Sequence, residues 1–189
     1  MTGRGQEDPH FDCAPDHGAI VVRFDFGYLG LGEEGSGHLL TLVVAKGRRT
    51  SYIGGSIIEV KGDNLYARAT IDSFLDELGY LSMELHSDGE PALVALIKGV
   101  FADRVKKYGK EATTAQLRLR LGAEDSHASQ GAVESGIKTV AGLARTGRMS
   151  LEKRYNLKVT EDMPIVPWLI RHQIFCHHRF QRRRSSGRT

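Results

Sequence analysis

From Ala19 to Leu29 the apolar side chains fall on alternate positions, which predicts a half-buried strand with Ile20, Val22, Phe24, Phe26 and Tyr28 on one face and Arg23, Asp25 and Gly27 on the other. A glycine-rich turn from Gly30 to Gly37 leads to a short apolar run, Leu39 to Ala45, and a K-G-R-R turn leads on to Tyr52 to Val60. Three such segments in a row predict an antiparallel meander. The period then changes. Ile71, Phe74, Leu75 and Leu78 recur at helical spacing up to Gly79, a helix-ending residue. Leu81, Met83 and Leu85 alternate with polar residues as a fourth strand that stops at Asp88-Gly89. Pro91 then opens a helix carrying Leu93, Leu96, Ile97 and Val100. Leu117, Leu119 and Leu121 predict a fifth strand, followed by the polar loop G-A-E-D-S-H-A-S-Q.

Beyond that loop Val133, Ile137, Val140, Ala141 and Ala144 trace one helical face, with Glu134 beside it near the helix start. Gly136, Gly142 and Gly147 weaken this helix by about 1 kcal/mol each relative to Ala, and mark either a break or a close approach by a partner. A last helix, Pro164 to about Gln181, carries Trp168, Leu169, Phe175 and Phe180, with Trp168 expected in the core. Helices between strands three and four and between four and five predict an α/β protein: a mixed five-stranded sheet with helices on both faces. Residues 1–18 are polar, rich in Asp, Gly and Pro, and are expected to be a disordered leader.

A chain of 189 residues with 40% hydrophobic composition suits one domain with a proper core. Its apolar runs are far too short for a membrane span, and no signal-peptide pattern opens it. Cys13 and Cys176 lie far apart without C-x-x-C spacing, so the expectation is a reducing, intracellular compartment rather than a disulfide framework. Lys and Arg number 26 against 23 acids, but Arg179, Arg182, Arg183, Arg184 and Arg188 crowd into the last eleven residues, so the body is near neutral. A second basic stretch, Lys138, Arg145, Arg148, Lys153, Arg154 and Lys158, faces only Glu152. Such runs attract phosphate backbones, although a solvated helix face and a frayed tail are the plain reading.

Three acids stand out within this pattern. Asp25 lies in the first strand, Asp88 ends the fourth, and Glu134 opens the helix after the fifth. Carboxylates drawn from distant stretches are how a protein builds a two-metal site for phosphodiester chemistry. Each also has an ordinary role: Asp25 as a polar-face acid, Asp88 as a turn or capping residue, Glu134 as an i,i+4 partner of Lys138. His86 and His127 stand near the acids in sequence, whereas His172, His177 and His178 are expected to pack or hydrogen-bond.

Four blocks carry a family resemblance. H-S-D-G-E-P-A (His86 to Ala92), S-Q-G-A-V-E (Ser129 to Glu134), P-W-L-I-R-H (Pro167 to His172) and R-F-Q with a terminal S-G-R-T occur in the order found in retroviral-type integrases. The chain resembles the integrase region of a long-terminal-repeat retrotransposon polyprotein. That resemblance implies a ribonuclease-H-like core over 19–160, with a C-terminal helix and basic tail over 161–189, cut short within a family motif. It further implies DNA integration by end-processing and strand transfer, with Asp25, Asp88 and Glu134 as catalytic residues holding two Mg²⁺ or Mn²⁺ ions. Lys138, Arg145 and Arg148 are the expected contacts to the DNA backbone. Partners would be element-end and target DNA and further copies of the chain, with no membrane, in the nucleus. Departures are Gln130 where the family often has Asn, Ser135 where it often has Arg, and the lack of a zinc-binding His and Cys motif ahead of the core, which His10 and Cys13 alone cannot supply. The alternatives are a catalytically inactive nucleic-acid-binding descendant and, ranked last, a ribonuclease of the same fold.

Overall fold

The computed structural model describes residues 19–31, 39–47, 52–121 and 127–180. The leader (1–18), most of the Gly30–Gly37 turn, the loop residues 122–126 and the basic tail (181–189) lie outside the described residues. The elements run β1 (Ile20–Leu29), β2 (Leu40–Gly47), β3 (Ile53–Ile58), α1 (Leu65–Leu78), β4 (Met83–Ser87), α2 (Pro91–Tyr108), α3 (Lys110–Gln116), β5 (Leu117–Leu121), α4 (His127–Tyr155) and α5 (Ile165–Phe180). The sheet order is β3-β2-β1-β4-β5. β1, β2 and β3 form the expected antiparallel meander, while β4 and β5 join β1 in parallel through the α1 and α2–α3 crossovers.

Strand alternation divides the interior into two cores. Phe24, Phe26, Val43, Leu85 and Leu117 pack with Ile71, Phe74 and Leu75 of α1 and Leu93, Leu96, Ile97 and Val100 of α2. On the opposite face Leu29, Leu42, Val44 and Ile53 pack with Val133, Val140 and Ala144 of α4 and Val166, Ile170 and Ile174 of α5. Since period-two strands show their two apolar sets to opposite sides, two helical layers are needed to cover them. α1 starts where Asn64 accepts a hydrogen bond from the Ala67 amide, and stops at Gly79 in a left-handed conformation. α2, α1 and α3 are tied together by Arg104, buried at 3% exposure, which donates to Asp72, Asp76 and Gln116.

Several expectations are corrected. Tyr28 and Trp168, assigned to apolar faces, are 55% and 54% exposed. Tyr28 sits beneath the Lys61 ammonium, and Trp168 stacks on His172. The described end of the polar loop, from His127, is already helical. The glycines do not break α4, which runs unbroken through all three. An added Cβ at Gly136 would stand 3.3 Å from the Lys46 side chain, and one at Gly147 would meet Gln173 of α5 at 2.8 Å. The close partner is therefore the chain's own sheet and its own last helix. Gly142 has open space around it.

These environments fix opposite signs for two substitutions. Gly142→Ala should stabilise by about 1 kcal/mol through helix propensity alone. Gly54→Ala, whose Cβ would run into the Phe74 ring, should destabilise by about 1–3 kcal/mol through overpacking. Urea unfolding of both variants checks this; a destabilised Gly142→Ala would contradict the continuous α4.

Candidate metal centre

Parallel pairing of β1 with β4 aligns Ile20 with Met83 and continues to Arg23 opposite His86. Two residues further along, the same register places Asp25 level with Asp88. Asp25 is half-buried in mid-strand, with antiparallel β2 on its other side, where its partner is Val44. Asp88 follows the last residue of β4 at the carboxyl end of the parallel strands, the edge at which open α/β sheets bind ligands. There the chain turns sharply. Gly89 is left-handed (φ 86°), the Glu90 amide donates to Asp88 Oδ1 at 3.0 Å, and Pro91 begins α2. The turn returns Glu90 toward its neighbours, so that one carboxylate oxygen each from Asp25, Asp88 and Glu90 lies within 4.8 Å of the others.

The Asp25 carboxyl is raised to about 6, first by burial and then by the charges of Asp88 and Glu90, with the Phe26 amide and the Lys61 ammonium pulling the other way. Lys61, just after β3, donates to Glu90 at 2.9 and 3.3 Å and lies 5.3 and 5.2 Å from the ring centroids of Phe26 and Tyr28. A set of hard oxygen donors with excess negative charge, partly buried at Asp25 and Glu90 and exposed at Asp88, suits Mg²⁺ or Mn²⁺. By the chemistry of its donors the site fits a divalent cation.

Of the residues singled out in the sequence, Asp25 and Asp88 are brought together. Glu134 is exposed on α4 and is not a member of the 4.8 Å group. Its helix nevertheless crosses the right part of the sheet: Gly136 faces Val44 and Lys46, the β2 partners of Asp25 and Arg23, and Ile137 covers Gly27. Lys138 and Arg145 are exposed and lie on the same stripe of α4 as Glu134. Arg148 is committed within the fold, donating to the Leu31 carbonyl and pairing with Glu152 at 3.6 Å. His86 is buried in β4 beside Glu84, and His178 bonds the backbone of Ile53 and stacks on Tyr52. Glu90 and Lys61 were not read from the sequence. The D-G-E-P run was a signal for Glu90, since a glycine turn between two acids can point both the same way. Nothing in the pattern marked Lys61.

A groove of about 610 Å³ lies elsewhere, between α1, β3 and α5, lined by Tyr52, Phe74, Trp168, His172, Phe175 and His178 among others. None of the clustered carboxylates borders it. The acidic cluster is thus separate from this groove. Among the described residues no helix is long and apolar enough to cross a membrane.

No protein-family model and no curated protein matches the sequence. Solved structures do. The HTLV-2 integrase catalytic core domain in complex with magnesium, in its trimeric form, matches with a TM-score of 0.51 at 13% identity, over 89% of this chain and 91% of that one. A chain of the simian T-cell lymphotropic virus intasome in complex with PP2A regulatory subunit B56 gamma matches with a TM-score of 0.53 at 12% identity, over 89% of this chain and 51% of that one. At such identities the likeness is one of architecture: this chain has the ribonuclease-H-like fold of a retroviral integrase catalytic core.

Proposed function

We propose that the chain is the core of a metal-dependent polynucleotidyl transferase that processes DNA ends and joins them to target DNA, as the integrase of a retrotransposon would. The observation that carries this reading is the meeting of Asp25 with Asp88 at the carboxyl end of paired parallel strands, in a fold shared with integrase cores. The HTLV-2 core in complex with magnesium favours a divalent cation here, and its trimeric form and the simian virus intasome favour an assembly of several copies. The nucleus is where element ends and target DNA would meet.

Asp25 and Asp88 would hold the cations, with Glu134 completing the set and Glu90 supplying a further carboxylate. Activation of an attacking water or 3′-hydroxyl, and stabilisation of the leaving oxygen in an in-line displacement, is the chemistry that a bound pair of Mg²⁺ or Mn²⁺ ions supplies. Asp25 anchors the site from mid-strand, where the sheet fixes its position. Asp88 is held by its bond from the Glu90 amide. Lys138 and Arg145 would align the DNA backbone along α4, a role in which charge positions the duplex without reading its sequence. A non-catalytic nucleic-acid-binding descendant is the second reading, favoured by one observation: Glu134 stands outside the carboxylate group.

Cleavage and joining of labelled DNA with Mg²⁺ or Mn²⁺ separates the two. Asp88→Asn and Glu134→Gln should each lower the rate by about a hundredfold or more, since each removes transition-state charge stabilisation. A wild-type chain that binds DNA but neither cuts nor joins it would favour the second reading. In binding assays, log affinity against log salt should flatten by about 0.9 for each of Lys138→Ala and Arg145→Ala that removes a phosphate contact. Arg148→Ala should instead lower the melting temperature, because its guanidinium holds Leu31 and Glu152.

The Asp25 carboxyl also sets a pH dependence. Its folded value, about 6, exceeds the ordinary 3.8, so the folded chain binds this proton more tightly than the unfolded chain. Metal-free stability should therefore fall between about pH 4 and 6 and stay at the lower level above. Asp25→Asn should raise the melting temperature in EDTA at pH 8 and leave it unchanged near pH 4. An equal effect at both would show that charge at Asp25 is not opposed by the fold.

A further inference from the structure

The described cations have different kinds of partner. Arg68 pairs with Asp63 and Asp103, and Arg104 with Asp72 and Asp76, none of which belongs to the carboxylate group. Lys61 differs, because its partner Glu90 belongs to the carboxylate group. Both Glu90 oxygens face the Lys61 ammonium, at 2.9 and 3.3 Å, and the side chains of the pair are 28% and 29% exposed. The ammonium is further held over the rings of Phe26 and Tyr28, a cation–π contact that restrains where it can go. Glu90 thus faces two claims. It lies within 4.8 Å of the other two acids, close enough to share a cation with them, while its carboxylate is already engaged by an internal one.

Resting on the metal-binding reading above, we propose that Lys61 is a positioning residue that governs cation loading: it occupies Glu90 in the metal-free chain, and a divalent ion must take Glu90 from it. The Lys61 charge helps to hold the acids together without metal. The same charge opposes a dication a few ångströms away, because like charges repel and because the ligand it holds is withheld.

The test is Mn²⁺ affinity of the full chain, measured by titration with an electron-spin readout of free Mn²⁺, so that no catalytic turnover is needed. Lys61→Met should bind Mn²⁺ about tenfold more tightly than wild type, and Lys61→Arg, which keeps the charge, should stay near wild type. In a Glu90→Gln background the Lys61→Met gain should shrink, because the withheld ligand is gone. Binding of Lys61→Met equal to or weaker than wild type, or an undiminished gain in the Glu90→Gln background, would overturn the proposal. Asp88→Asn separates this from failure of the underlying reading: if it binds Mn²⁺ as well as wild type, or neither binds, the metal centre itself falls and Lys61 has nothing to govern.

Discussion

Parallel pairing between β1 and β4 is the constraint from which the rest of the site follows. Parallel strands cannot be joined by a tight turn, so the chain between them must cross over a face of the sheet, and α1 does so by laying Ile71, Phe74 and Leu75 on one core. Once the crossover is packed, the register is not free: a slip of one residue would turn Val22, Phe24 and Phe26 away from α1 and α2 and bring Arg23 and Asp25 into an apolar layer. The hydrophobic effect acting on those phenylalanines thereby fixes where the Asp25 carboxylate stands. Asp88 needs only to follow the last paired residue of β4 to come level with it.

Bringing acids together costs energy that the fold must offset locally. The Asp25 carboxyl is raised first by its burial and then by the charges of Asp88 and Glu90, and the Lys61 ammonium, just after β3, opposes the rise. Its neighbours are arranged to tolerate strain at this point: a left-handed glycine after Asp88, an amide donated back to that acid, and a proline opening α2 without an amide to satisfy. A centre built this way has two of its acids set by strands and carries excess negative charge.

Much of the architecture was legible because β1, β4 and β5 show clear alternation and β2 a short apolar run. β1, β4 and β5 read directly from Phe24 and Phe26, Met83 and Leu85, Leu117 and Leu119, and α1 from its stripe and Gly79. What failed depended on which neighbours the fold supplies. Tyr28 continues the alternation of β1 yet is exposed, and Trp168 has the spacing of a core residue yet faces outward from α5. The α4 glycines suggested weakness in isolation because the sequence could not show that Gly136 lies on β2 and Gly147 on α5. For the site, Asp25 and Asp88 were legible from strand and motif. Glu90 and Lys61 were not, since their nearness depends on the backbone turn at Gly89 and on where β3 ends. Arg148 looked like its neighbours Lys138 and Arg145, and only the folded chain shows its guanidinium spent on Leu31.

Location of a bound cation tests the central claim most directly. Crystals of the chain grown with Mn²⁺ should show anomalous difference density between the Asp25 and Asp88 carboxylates, and the same crystals of Asp88→Asn should lose it. Mn²⁺ density elsewhere, with Asp25 and Asp88 free of it, would contradict the account.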